Sequence, residues 1–367
     1  MSKAAELANL IGNINAGGGG ANKNIIINGN MSVTQRNVSV TGIGGSSGYF
    51  TCDRWLIAQS GSGRLTMSQD SSVPTGKGFA HSLKLDCTTA DTSIASSEFL
   101  QIVQKIEGQN LQSIGKGSSD AKPITVSFYV KANATFNFVC ELNDLDNSRH
   151  ISKLFSTTTD WVKHEITFPA DTTGAFDNDN AASLNLTFWL HAGSTYSSGT
   201  LNTASFASRT DANRAAGVSS FYSSTDNNFF ITGVQLEVGQ NATEFEHEPF
   251  DTTLRKCHRY FENIGITAGS YVYAAAYAYS TTDVRAVQHY KVKRATPSFS
   301  FDNQGDVIAF YNGGSSDTSI AFNYHDIGLN SCRVSITLSG VSTTAGYGVA
   351  IYVNGSVTYN IKVDAEL

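Results

Sequence analysis

Residues 124–130 read ITVSFYV, and this stretch decides the fold class. In an extended chain it places Ile124, Val126, Phe128 and Val130 on one face, the period-two pattern of a half-buried β-strand. The pattern recurs on both sides. Residues 81–87 (HSLKLDC) alternate, Leu100, Ile102 and Ile106 share a face, and Phe136, Phe138 and Cys140 do the same. Residues 161–168 (WVKHEITF), 184–190 (LNLTFWL) and 229–238 (FFITGVQLEV) complete the set, with Gly233 expected to form a bulge. Gly, Ser, Asn and Asp separate these runs, and an apolar Ile25 to Ile27 stretch ends at the turn dipeptide Asn28-Gly29. Strands with one apolar face each make a sandwich or a jelly roll. Residues 193–224, rich in Ser, Thr, Gly and Ala, read as a long loop or insertion.

Composition agrees with a mostly β chain. The 367 residues exceed one ordinary sandwich and suit two or three modules. Charged residues make up 15%, while Tyr number 15 and Phe 21 against 3 Met and 5 Pro. Aromatic and β-branched side chains pack well on a pleated surface. A net charge of -6 opposes binding along a phosphate backbone, so no nucleic-acid partner is expected. Cys52, Cys87, Cys140, Cys257 and Cys332 are widely spaced and form no CxxC pair. Neither a zinc site nor a complete disulfide framework is expected, and assembly in a reducing cytoplasm fits. No apolar run approaches the roughly 20 residues of a membrane span, and the N-terminal residues lack the apolar region of a signal peptide.

The ends of the β-rich region read differently. Leu7, Leu10, Ile11 and Ile14 follow one helical face, and Gly17 to Gly20 form a hinge. Residues 1–23 are thus expected to be an attachment helix on a flexible tether, its apolar stripe covered either by copies of itself or by a socket on another protein. The central jelly roll is assigned to residues 24–249. Residues 250–266 are expected as a linking helix, with Asp251 capping and Leu254, Cys257, Phe261 and Ile264 on its apolar face. Residues 267–367 carry some seven further strand candidates, the expectation being a C-terminal β-sandwich.

Three pieces of the chain carry a family resemblance. They are SKAAELANLIGNI (residues 2–14) with NIIINGNMSVTQR (24–36); TCDRW (51–55), GFAHSLKLD (78–86) and FFITGVQLEVGQNATEFE (229–246); and LRKCHRYFEN (254–263) with the terminal VDAEL (363–367). In this order they resemble tail-fibre-like virion proteins of marine bacteriophages. The middle piece is also similar to jelly-roll carbohydrate-binding modules, in which the QLE-to-TEFE ending forms the final strand. The resemblance implies a tail location in the virion, docking to other tail or virion proteins through the N-terminus, and a homotrimer. It also implies a distal module that meets a host surface glycan or receptor. No long shaft segment is present, so a tail adaptor or capsid appendage without receptor contact stays open. So does a surface-glycan depolymerase.

Candidate sites are few. In YVYAAAYAY (271–279), strand geometry puts Tyr271, Tyr273, Tyr277 and Tyr279 on one face and Val272, Ala274, Ala276 and Ala278 on the other. A tyrosine row suits sugar stacking, subunit packing or a core. Leu184, Leu186, Phe188 and Leu190 fill one face of their strand, which leaves Trp189 expected outward beside His191. Trp55 and Trp161 read as packing residues. Asn143, Asp144 and Asp146, and the run Asp177 to Asn180, offer oxygens for a structural calcium; otherwise no cofactor is expected. No GxSxG, HExxH or P-loop pattern occurs, and Glu244, Glu246 and Glu248 read as a solvated strand edge, so no catalysis is expected.

Overall fold

The computed structural model describes Lys3 and residues 23–267, 269–301, 307–311, 315–339, 343–353 and 359–367. The expected attachment helix, with Leu7, Leu10, Ile11 and Ile14, lies outside these residues. The chain divides into two compact units, one running to Leu254 and the other spanning Arg255–Glu366.

The first unit contains β1 (Ser39–Ile43), β2 (Gly48–Tyr49), β3 (Leu56–Ser60), β4 (Arg64–Asp70), β5 (Ser82–Thr89), β6 (Phe99–Glu107) and β7 (Ile124–Ala132). They are followed by β8 (Asn137–Asp144), β9 (Arg149–Ser156), β10 (Val162–Phe168), β11 (Ala182–Ala192), the short helix α1 (Ser194–Ser197), β12 (Ala207–Ser208) and β13 (Asn228–Val238). One sheet has the order β1-β4-β5-β13-β7-β10 and the other β12-β9-β8-β11-β6-β3-β2. All pairings within them are antiparallel.

The two sheets enclose one core. Ile124, Val126, Phe128 and Val130 all enter it from β7, as the alternation requires. Phe128 meets Phe188 of the opposite sheet at 5.0 Å between ring centroids, and Phe138 meets Phe229 edge-on at 5.5 Å. Gly233 forms the expected bulge: the β13–β7 register shifts between Thr232 and Gln235, and its φ is 62°. A Cβ there would fall 2.6 Å from Phe79 Cζ, so both conformation and space demand glycine. The QLE-to-TEFE ending is more than a strand. β13 stops at Val238, and the chain after it is clasped by β13 side chains. Gln235 Nε2 donates to Thr243 Oγ1 at 3.2 Å, Thr243 N donates to Glu237 Oε1 at 2.8 Å, and Glu246 N donates to Gln235 Oε1 at 2.8 Å.

Helix α2 (Phe250–His258) is shorter than the expected linking helix. Phe261 and Ile264 belong instead to β14 (Phe261–Ile266), whose six residues all pair with residues 359–364 near the other end of the chain. That long-range ladder overrides the local helical spacing. The second unit continues with β15 (Tyr271–Ala278), β16 (Asp283–His289), β17 (Ser298–Phe301), β18 (Val307–Tyr311), β19 (Ser315–His325), β20 (Ser331–Leu338), β21 (Gly348–Val353) and β22 (Tyr359–Asp364).

In place of the sandwich expected over residues 267–367, six of these strands close into a barrel of order β15-β16-β20-β19-β18-β21. Closure comes from β15, which pairs with β16 on one side and β21 on the other. Ala278, Ala286 and Ala309 alternate with Val and Ile in the interior, and small residues suit the narrow lumen of a six-stranded barrel. The order β14-β22-β17 makes a separate three-stranded sheet. It packs on the barrel through flat ring pairs, Phe299 on Tyr324 and Phe301 on Phe322, each at 4.2 Å.

Candidate functional site: a cleft on the C-terminal barrel

The tyrosine-rich strand β15 does not keep one phase. Its register against β21 shifts between Tyr271 and Tyr273 and again between Tyr273 and Ala276. Each shift moves side chains between the two faces. Tyr273 therefore points into the barrel, 7% exposed, and its hydroxyl donates to Gln288 Oε1 at 2.8 Å. Tyr271, Tyr277 and Tyr279 are about half exposed, at 59%, 48% and 55%. The four tyrosines expected on one face are thus split, and Tyr279 lies just past the end of the strand.

β15 and β16 are joined by only two residue pairs, Tyr277 with Arg285 and Ala278 with Val284. Beyond them β16 stays on β20 as far as His289, while β15 follows β21. The ladder opens between the two strands and leaves a cleft of about 350 Å³. Ala275, Ala276, Ala286 and Val287 give it an apolar floor, and Tyr277, Arg285 and Arg333 border it.

The β16–β20 register sets Val287 opposite Arg333 and Arg285 opposite Ser335, so the two arginines are diagonal neighbours on the barrel's outer face. Each is anchored through its Nε. Arg285 Nε donates to Asp283 Oδ2 at 3.1 Å, and Arg333 Nε donates to Asp326 Oδ2 at 2.7 Å. Asp283 also accepts from Ser335 Oγ through its other oxygen. The Arg285 guanidinium lies 3.2 Å from the Tyr279 ring centroid, which makes the tyrosine just past the strand end part of the arginine's support. The Arg333 side chain holds the Asp326 carboxyl below its ordinary range.

The sequence pattern named Tyr277 and Tyr279 but missed β16 and both arginines. The available signal was the alternation of Val284, Ala286 and Gln288 against Asp283, Arg285, Val287 and His289. Two of its three inward side chains are small or polar, which hides the period.

The other candidates sit elsewhere. Trp189 is fully buried, against the outward position expected for it. It does leave the face of Leu184, Leu186, Phe188 and Leu190, which enter the main core. On its own face it is covered by residues of the 193–224 insertion, packing with Tyr196, Leu201, Ala215 and Val218. Its Nε1 donates to Glu141 Oε2 at 2.8 Å, and Arg214 donates to both Glu141 oxygens at 2.8 and 2.9 Å while stacking 4.9 Å from the indole. Trp55 is buried too and donates to Asn28 O at 3.0 Å. Trp161 is half-buried, edge-on to Phe230.

Three of the carboxylates expected to offer oxygens to calcium, those of Asp144, Asp146 and Asp179, are engaged by protein donors. Asp144 Oδ2 is 2.6 Å from Lys116 Nζ, Asp146 Oδ2 accepts from Asp177 N at 3.0 Å, and Asp179 Oδ1 accepts from Ala181 N at 2.9 Å. Among the described residues no group of three His, Cys, Asp or Glu side chains is placed to hold a metal ion. Glu244, Glu246 and Glu248 lie beyond the last strand of their unit, not on its edge. No described helix is long and apolar enough to cross a membrane.

No family model matches the chain, and no curated protein matches it. Among solved structures, it is similar to the enzymatically active domain of tailspike protein 4 of bacteriophage CBA120. The identity is 13% and the TM-score 0.33, over 59% of this chain and 21% of that one. It is also similar to the family 11 carbohydrate-binding module from Clostridium thermocellum, solved with a β-1,3-1,4-mixed-linked tetrasaccharide. Here the identity is 12% and the TM-score 0.28, over 56% of this chain and 99% of that one. A third is TmCBM61 with β-1,4-galactotriose, at 9% identity and TM-score 0.27, over 51% of this chain and 88% of that one. The chain thus spans about a fifth of the tailspike domain and most of each binding module.

Proposed function

We propose that the chain is a structural subunit of a phage tail fibre that attaches the particle to a host surface glycan, the C-terminal barrel making the contact. The observation that carries this reading is the cleft between β15 and β16. It combines an exposed tyrosine face, an apolar floor and fixed hydrogen-bond donors, the elements that stack on and orient a sugar ring. The sequence resemblance supports the virion role, with the N-terminal segment docking to other tail proteins and three copies assembling together. A small open cleft binds weakly by itself. Repetition around a trimer and over several fibres would turn weak contacts into firm attachment. In this reading the protein binds without cleaving.

The test is competition. Host cells incubated with the purified full chain before exposure to the parent particle should adsorb fewer particles. Tyr277→Ala should lose this effect without a change in unfolding midpoint, because the side chain is half exposed and borders the cleft. A chain that neither binds host cells nor reduces adsorption would remove the receptor contact and leave an adaptor or capsid appendage. Reducing ends released from host polysaccharide would instead make it an enzyme.

A further inference from the structure

We infer that the barrel cleft selects an anionic saccharide, its acidic group held between Arg285 and Arg333 and its ring lying over the apolar floor beside Tyr277. The inference rests on the glycan-binding reading above and specifies its ligand. Both arginines spend only their Nε on hydrogen bonds, to Asp283 and Asp326. Among the described residues the terminal amino groups of both guanidiniums donate to nothing. The two aspartates therefore act as braces that fix the planes of the guanidiniums and leave their forked ends open. A forked guanidinium end is matched to the paired oxygens of a carboxylate or sulfate, a geometry that a neutral hydroxyl does not reproduce. The Tyr279 ring under Arg285 adds a second brace and limits the rotamers that binding must freeze.

Placement supports the same ligand. Tyr277 faces Arg285 directly across the ladder, and Arg333 follows on the diagonal, so the ring platform and the two donors form one row on one face. The floor between them is Ala and Val, whose side chains carry no acceptor to compete for the donors. The chain's net charge is -6, so a polyanion is repelled by the molecule at large. Retention of such a polymer would report a local site and not general attraction.

The experiment measures binding of the full chain to immobilised polygalacturonate, dextran sulfate and unmodified dextran near 0.15 M salt. The first two separate a carboxylate from a sulfate ester, and dextran is the neutral control. Binding to one or both acidic polymers, at least tenfold tighter than to dextran, is expected. Arg285→Gln with Arg333→Gln should weaken it at least tenfold with little change in unfolding midpoint, since both side chains are partly exposed on the barrel's outer face. Arg333→Lys alone, which keeps the charge but loses the fork, should still bind more weakly than the parent chain. Dextran bound as tightly as the acidic polymers, with no response to either arginine, would overturn the anionic preference while leaving a glycan site in place. Binding to none of the three by a chain that still blocks particle adsorption would overturn the inference and place the receptor contact elsewhere.

Discussion

Lys116 Nζ lies 2.6 Å from Asp144 Oδ2, and both side chains are buried. The ammonium is further held by Asp171 Oδ2 at 3.2 Å, Thr173 O at 2.8 Å and Gly174 O at 2.6 Å. Arg149 fixes Asp171 by donating to both of its oxygens, at 2.9 and 3.1 Å. Two carboxylates and two carbonyls around one cation are the oxygen set that a hard divalent ion also takes. Here the chain fills the cage with its own lysine.

Removing that lysine should therefore leave two buried carboxylates with one remaining cation. Lys116→Ala is expected to cost about 3–5 kcal/mol in denaturant unfolding. Calcium at millimolar concentration should restore part of the loss in the variant and leave the parent chain's midpoint unchanged.

Trp189 should behave as a core residue. Trp189→Ala is expected to cost about 3–5 kcal/mol. Trp189→Phe, which leaves the buried Glu141 short of a donor, should cost about 1–3 kcal/mol. Neither change should alter polysaccharide binding measured well below the unfolding transition, and acrylamide should quench the Trp189 fluorescence poorly.

The split of the tyrosine row is testable with two matched changes. Tyr273→Phe leaves Gln288 Oε1 without its hydroxyl donor inside the barrel and should destabilise by about 1–2 kcal/mol. Tyr277→Phe keeps the exposed ring and should leave both stability and binding nearly unchanged. Equal effects on stability would mean that the two residues share a face.

Stability should fall on acidification in two windows. Burial lowers the affinity of His164 and His191 for a proton, the latter opposed by Glu98 and Asp91. The unfolded chain then binds more protons, so stability is lost as pH drops below the ordinary histidine value of about 6.5. Burial alone would raise Glu141 and Asp171. The groups around them, His150 at 3.3 Å with the donors Arg214 and Trp189 for the first and Arg149 and Lys116 for the second, reverse the sign and hold both low. Their contribution is full above the unfolded carboxylate value of about 4 and is lost as pH falls through the lower folded values. A thermal midpoint that stayed level from pH 7 to pH 3 would contradict both assignments.

All five cysteines are buried thiols outside any disulfide. Burial pushes the Cys52 thiol up to about 12 and those of Cys87 and Cys332 up to about 11. The thiolate is the reactive form. A thiol reagent at pH 8 should therefore count none in the native chain over minutes and five after denaturation.

Much of the β fold was legible because alternation is a local property of the chain. Residues 124–130 give the inner face of β7 without help from any other segment, and Gly233 announces its bulge. The register slips in β15 left no such mark. Each slip inverts the faces of everything beyond it, and the slips are set by how β15 meets β21, some 75 residues away. For the same reason Phe261 and Ile264 looked helical until the chain's last strand came to pair with them.

The candidate site was half visible. Exposed tyrosines were named, but Arg285 and Arg333 are ordinary surface charges until the barrel sets them on one diagonal. Trp189 shows the opposite case. Its outward direction followed from the alternation of β11, and its burial depended on a low-complexity insertion folding over it.

Taken alone, the amino-acid order determined that the chain is mostly β and which side chains form the inner faces of regularly alternating strands such as β7 and β11, because a period of two needs no partner. Only the tertiary structure decided which strands meet, where the ladder opens and which charges are braced together. Those depend on pairings between residues far apart in the chain, and a one-residue shift in register costs little locally yet turns a side chain from core to surface.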